Sequence, residues 1–152
     1  MSAEHLSDSC LFCKIIKGDI PSCKIIETEK SYSFLDINPL SEGHALVIPK
    51  YHAEFFHQVP DDILADMLPV AKKVALAIGL ADGQYNLLQA SREREKSRQN
   101  NGRMAHQEVP HVHFHIIPKP NPEQGLIVGW PQLKDVSQDQ LKNTLGRIKE
   151  KL

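Results

Sequence analysis

Residues 111–117 read His-Val-His-Phe-His-Ile-Ile, and this alternation of imidazole and apolar side chains governs the interpretation of the whole chain. Because alternate side chains of a strand share a face, it predicts a strand over 112–117 with His111, His113 and His115 in a row. Such a row is costly in a core, since each imidazole needs hydrogen-bond partners. The pattern therefore indicates either metal ligation or nucleophilic catalysis, in which one imidazole attacks phosphorus and its neighbour serves the leaving group.

The remaining periodicities predict an α+β domain built on an antiparallel sheet of five strands with one long helix. A short helix ends at Gly18, the long helix starts after Pro60, and Ser137 with Gln140 forms a capping box for a terminal helix. We expect a single domain over 1–152, with a core at about 10–120 and a helical tail at 121–152. The predicted strands are 23–27, 32–37, 44–49, 85–89 and 112–117.

Bulk composition argues against several classes of partner. The net charge of −1 predicts no nucleic-acid surface, and no apolar run is long enough for a membrane span. The N-terminal residues carry no targeting signal, and three cysteines suit a reducing compartment. We expect a cytoplasmic protein, with the nucleus as a second location.

The motif at 111–117 resembles the signature of the histidine triad (HIT) family, and the match continues upstream. Residues 12–21, 34–37 and 44–52 are similar to that family's nucleotide-binding half, and Gln107 stands four positions before His111. The tail at 125–131 looks most like the fungal adenosine 5'-monophosphoramidases of the HINT branch. The resemblance implies the HIT fold and a homodimer whose sheet continues across the interface.

The same resemblance implies a role for each matching residue. His113 would be the nucleophile that forms a nucleotidyl-histidine intermediate. His115 would contact the α-phosphate and assist the leaving group, with His44 supporting the triad. Asn100 and Gln107 would bind the same phosphate. Asp36 would accept hydrogen bonds from the ribose hydroxyls, and a purine slot would be lined by Phe12, Ile15, Ile20, Phe34 and Ile37.

The implied activity is hydrolysis of a purine nucleoside phosphoramidate to the monophosphate and an amine, without an organic cofactor. Glu108 replaces a serine found in animal relatives, and its charge would repel a polyphosphate leaving group. A dinucleoside polyphosphate hydrolase shares the same triad and is the alternative enzyme. A nucleotide-binding adaptor with incidental catalysis is the alternative of another class.

A second set of residues predicts a metal site. Cys10 and Cys13 have the spacing of a zinc half-site, although two buried cysteines at a helix start would look the same. In some relatives such a pair joins two histidines, which here correspond to His52 and His111. Four protein ligands would close the site, so the zinc would be structural.

One segment departs from the family pattern. Residues 90–99 form a highly charged insertion, which we interpret as a solvated loop rather than a basic finger that reaches a polyanion. The insertion leaves two further candidates, Gln89 and Gln99, for the strand-end position beside Asn100.

Overall fold

The protein is described by a computed structural model over residues 5–90, 109–129 and 131–152. Its helices and strands follow the order expected from the sequence. The helices are α1 (Leu11–Lys17), α2 (Asp61–Ala77) and α3 (Gln138–Lys149). The strands are β1 (Lys24–Glu27), β2 (Ser31–Leu35), β3 (Ala45–Pro49), β4 (Tyr85–Gln89) and β5 (Phe114–Pro118).

The five strands form one sheet in the order β1-β2-β3-β5-β4, and every neighbouring pair is antiparallel. The predicted α+β class is therefore confirmed. His115 lies between Leu46 of β3 and Leu88 of β4. The histidine strand thus has a strand on each side, which restricts the backbone beside the site.

Strand β3 shows how the sheet separates two layers. Leu46 and Ile48 pack in the cluster that contains α1, whereas Ala45 and Val47 pack against α2. This period of two is the pattern expected for a strand buried on both faces. The α1 face is the one that carries the histidine rings.

The predicted start of the last strand is wrong by two residues, because sheet pairing begins at Phe114. The N–H of Val112 donates instead to the carbonyl of Ala53, at 2.8 Å. The alternation nevertheless persists: Val112 packs beside Ala53, and Phe114 packs in the α2 cluster. The odd-numbered histidines consequently lie on the opposite side.

The C-terminal tail carries the predicted terminal helix. Gln140 donates its backbone N–H to Ser137 Oγ and accepts from the N–H of Ser137, so the capping box is confirmed. Leu141, Leu145 and Ile148 of α3 are all about half exposed. Within the described ranges, no helix is both long and apolar enough to cross a membrane.

Candidate active site and metal centre

His113 is the central residue of the site, and its hydrogen position follows from its bond partner. Nδ1 lies 2.6 Å from the carbonyl oxygen of His111, which can only accept. Nδ1 therefore carries the hydrogen, and Nε2 keeps a lone pair. The ring is buried against the edge of Phe12, and burial lowers its pKa. His113 is consequently a neutral imidazole with a nucleophilic nitrogen.

His115 is held by a chain of hydrogen bonds that begins at the backbone. The N–H of Leu40 donates to His44 Nδ1 at 3.1 Å, so the hydrogen of the neutral His44 ring lies on Nε2. His44 Nε2 is 2.9 Å from His115 Nδ1 and donates to it. The hydrogen of His115 is therefore on Nε2. Burial lowers the pKa of His115 to about 4, with further lowering by His113 and His44.

Asp36 lies beside this chain without joining it by a short bond. Its Oδ2 is 3.6 Å from His44 Nε2, and its Oδ1 accepts the N–H of Asn38. Asp36, His44 and His115 are close enough to be considered as metal ligands. The hydrogen on His44 Nε2 argues against that assignment, because a ligating nitrogen needs its lone pair. We interpret His44 and His115 as a hydrogen-bonded pair with the Asp36 carboxylate beside it.

The residues expected to line the purine slot fall into two groups. Phe12, Ile15 and Phe34 are buried in one apolar cluster beside the histidines, and Ile20 packs against it while half-buried. Phe12 and Phe34 meet edge to face. Ile37 instead lies in the loop after β2 and is 86% exposed in this chain.

The four candidate metal ligands converge on the other side of His111. The Nδ1 atom of His111 is 3.4 Å from Cys10 Sγ, 3.5 Å from Cys13 Sγ and 3.4 Å from His52 Nδ1. The Cys13 Sγ to His52 Nδ1 distance is 3.5 Å. His111 Nε2 donates to the carbonyl of Pro49 at 3.0 Å, so its lone pair is on Nδ1, facing the sulfurs.

This geometry fits tetrahedral zinc. Zinc bonds of about 2.3 Å to sulfur and 2.0–2.1 Å to nitrogen imply roughly 3.3–3.8 Å between ligand atoms. The observed separations fall in that range. Burial raises the pKa of the Cys13 thiol to about 11, so this thiol stays protonated unless a cation replaces the proton. The set has the donor chemistry and spacing of a closed structural site.

Several residues predicted from the sequence lie outside the described residues. They are Asn100 and Gln107, together with Glu108, Gln99 and positions 91–99 of the charged insertion. Gln89 is described and ends β4, where its side-chain amide donates to the carbonyl of Ala90.

Three contributors to the site were not predicted from the sequence, and two of them act through backbone groups. The backbone N–H of Leu40 orients His44, and Ser41 Oγ donates to the carbonyl of Pro118 at the end of β5. The N–H of Gly125 donates to the carbonyl of Leu40 at 2.9 Å. The only sequence signal was the glycine itself, in a Pro- and Asn-containing stretch.

The fold and site together define an α+β protein in which His113, a buried imidazole with its lone pair on Nε2, lies just before β5 and beside the second imidazole of His115. The sequence profile of the HIT domain matches residues 17–121. The chain belongs to the histidine triad (HIT) family.

The relatives of this chain include fungal enzymes. The adenosine 5'-monophosphoramidase of Saccharomyces cerevisiae is 50% identical over 153 residues, covering 100% of this chain and 86% of the yeast protein. The adenosine 5'-monophosphoramidase of Schizosaccharomyces pombe is 54% identical over 144 residues, covering 95% of this chain and 98% of that protein. A crystal structure of a histidine triad nucleotide-binding protein from Candida albicans aligns with a TM-score of 0.82 and 49% identity, covering 94% and 96% of the two chains.

Proposed function

We propose that this protein is a purine nucleoside phosphoramidase that hydrolyses adenosine 5'-phosphoramidate-type substrates to AMP and an amine. The observation that carries the proposal is the bond from His113 Nδ1 to the His111 carbonyl, which leaves Nε2 as a nucleophile. The names of the two fungal relatives support the same reaction.

The first step breaks the P–N bond. The Nε2 lone pair of His113 attacks the α-phosphorus, and the bonding pair leaves with the amine nitrogen, which takes one proton from solvent. His113 keeps its Nδ1 hydrogen on the His111 carbonyl, so the positive charge of the nucleotidyl-imidazolium lies beside a fixed dipole.

The second step restores the enzyme. A water oxygen attacks the same phosphorus, the P–Nε2 bond returns its pair to His113, and one water proton goes to solvent. The sum is phosphoramidate plus water to AMP plus amine. Throughout, neutral His115 offers its Nε2–H to the phosphoryl group and the leaving nitrogen, oriented by His44.

Recognition of the nucleoside is assigned to Asp36 and the apolar cluster. Asp36 accepts from the ribose hydroxyls, because a carboxylate suits a vicinal diol. The purine rests against the cluster of Phe12, Ile15, Ile20 and Phe34, with Ile37 closing the slot from the loop. Asn100 and Gln107 complete the phosphate site.

We also propose a structural zinc ion on Cys10, Cys13, His52 and His111. The separations of the four ligand atoms support it, as does the lone pair of His111 Nδ1 that faces the sulfurs. The ion would cross-link α1 to the segment that carries the histidines. It would supply rigidity and take no part in the reaction.

A homodimer that extends the sheet is the proposed assembly. Strand β4 lies at an edge, with Tyr85 43% and Leu87 45% exposed, and an unpaired edge is a surface for strand addition. Sedimentation equilibrium of Leu87→Asp should show a monomer. Leu76→Asp, a matched change at a 54% exposed position on α2, should remain dimeric. A monomeric wild type would contradict the proposal.

We propose a cytoplasmic location that extends to the nucleus. None of Cys10, Cys13 and Cys23 forms a disulfide, which suits a reducing compartment. Imaging of a fluorescent fusion would test this, and accumulation in a secretory compartment would contradict it.

The function is tested by trapping the intermediate. The full chain is mixed with radiolabelled adenosine phosphoramidate, quenched in alkali and digested. Label should appear on the peptide that contains His113 and be absent in His113→Ala. Label on another residue, or faster turnover of diadenosine triphosphate than of the phosphoramidate, would overturn the proposal in favour of a different nucleophile or of the polyphosphate hydrolase.

A further inference from the structure

The loop over residues 36–43 joins β2 to β3, and it is held at its centre by three hydrogen bonds. The N–H of Leu40 donates to His44, the carbonyl of Leu40 accepts from Gly125, and Ser41 Oγ donates to the carbonyl of Pro118. One of these bonds reaches the end of β5 at Pro118, and another reaches Gly125 in the segment that follows β5. Gly125 is thus bonded to the carbonyl of Leu40, the same residue whose N–H orients His44.

Gly125 fits this place for two physical reasons. Its φ of +80° lies in the left-handed region, which favours glycine. A Cβ at this position would come within 2.5 Å of the carbonyl oxygen of Pro118, a backbone atom that cannot swing away. Any larger residue must therefore displace the segment, and with it the bond to Leu40.

The consequence of that bond continues to the reacting group. With the Leu40 N–H on Nδ1, His44 can hold its hydrogen only on Nε2, where it donates to His115. Without the Leu40 N–H, the hydrogen of His44 could move to Nδ1. The lone pair on His44 Nε2 would then face the lone pair on His115 Nδ1. His115 would then rotate or change its own tautomer.

We propose that Gly125 and Leu40 are positioning residues. Gly125 holds Leu40 in place, and the Leu40 N–H sets the tautomers of His44 and His115 from outside the substrate site. The proposal rests on the proposed function for its kinetic part. Its structural part stands independently, because the tautomers can be measured without substrate. Gly125, near the start of the C-terminal tail, is thereby linked through hydrogen bonds to the histidine that is proposed to contact the phosphate.

Two pairs of variants test the link from both ends. Gly125→Ala perturbs the bond to the Leu40 carbonyl, and Gly79→Ala is its control, with φ of +88° and open space around the added carbon. Leu40→Pro removes the N–H, and Leu40→Ala shortens the same 48% exposed side chain but keeps the N–H. We expect kcat for the phosphoramidate to fall about tenfold or more in Gly125→Ala and Leu40→Pro, with KM within about twofold. Both controls should match wild type.

The deciding readout is the ring nitrogen spectrum of the full-length protein. Wild type should show His44 protonated on Nε2, with a scalar coupling across the hydrogen bond between the Leu40 amide nitrogen and His44 Nδ1. That form should be lost in Gly125→Ala and Leu40→Pro. A wild-type His44 protonated on Nδ1 overturns the proposal even if neither variant folds. So does a fall in kcat with unchanged His44 and His115 signals. If wild type hydrolyses no phosphoramidate, the proposed function fails and the spectrum still decides this inference.

Discussion

His111 and His113 lie two residues apart on the same side of the segment that leads into β5, yet the structure gives them opposite tautomers. His111 donates from Nε2 to the carbonyl of Pro49 and presents Nδ1 to two sulfurs. His113 donates from Nδ1 to the carbonyl of His111 and keeps its lone pair on Nε2. The difference teaches that the role of an imidazole here is set by the backbone carbonyl that takes its hydrogen.

The side chains around His111 and those around His113 also differ in how they are arranged. The cluster of Cys10, Cys13, His52 and His111 is closed, with its donor atoms facing one another. In the group of His113, His115 and His44, His44 donates to His115 and His113 donates to a backbone carbonyl, while the rings of His113 and His115 pack against each other. A closed set of four ligands suits a structural metal. Imidazoles that are not all directed at one another leave room for a substrate to bind and leave.

The largest effect should come from removing the proposed nucleophile. In His113→Ala we expect phosphoramidate turnover to fall by about 10⁴-fold or more, since no covalent intermediate can form. Metal content should be unchanged, because the ligands lie on the other side of His111. His57→Ala, a change at an exposed histidine, is the control. Turnover within about tenfold of wild type would remove His113 from the mechanism.

Loss of a proposed zinc ligand should affect stability rather than chemistry. In Cys13→Ser we expect loss of bound zinc and a fall of about 3 kcal/mol in the free energy of unfolding. This corresponds to about 6–12 °C in melting temperature for a chain of this size. Cys23→Ser changes an exposed cysteine and should retain both the bound zinc and the wild-type free energy of unfolding. Wild type purified without chelator but lacking stoichiometric zinc would refute the metal site.

Acid should destabilise the zinc-free protein through His115. Its pKa is about 4 in the folded state and about 6.5 when unfolded, so the unfolded chain binds more protons between these values. Stability is therefore lost as pH falls from about 6.5 to about 4. The half-buried His115 imidazole should account for about 2 kcal/mol of this loss in the free energy of unfolding, after allowing for solvent screening. Urea titrations at pH 7 and pH 4 should show a smaller loss in His115→Gln than in His57→Gln, and equal losses would contradict this.

The smallest predicted effect concerns the ribose. Asp36→Asn keeps an oxygen that can accept from the N–H of Asn38 but loses the charge. We expect KM for the ribonucleoside phosphoramidate to rise about tenfold, the worth of one hydrogen bond to a charged group. KM for the 2',3'-dideoxy analogue should not change. An equal rise for both substrates would show that Asp36 acts only through the loop.

Much of the fold and of the candidate site was predictable because it depends on the periodicity and spacing of side chains. The alternation at 111–117 and the helical spacing before Ile78 give the sheet and long helix, since burial follows those periods. The spacing of Cys10 and Cys13, together with the family resemblance, indicated the metal set that the structure brings together. The periodic and spaced side chains could therefore be placed together, and their roles stay predictions.

What the sequence could not provide depends on backbone groups, which every residue carries alike. The amino-acid sequence does not indicate that the backbone N–H of Leu40 donates to His44, or that the carbonyl of Pro49 accepts from His111. The strand start at Phe114 was missed because Val112 bonds to the distant Ala53, a tertiary contact. Tautomers and strand ends are set by such long-range partners.

The most direct test of this account is the protonation of the ring nitrogens of His111 and His113 in the wild-type chain. Long-range proton–nitrogen correlation spectra at neutral pH report which nitrogen of each ring carries hydrogen or a metal. We predict hydrogen on Nε2 of His111 and on Nδ1 of His113. The same tautomer at both positions would contradict the claim that backbone carbonyls divide these neighbours into a metal ligand and a nucleophile.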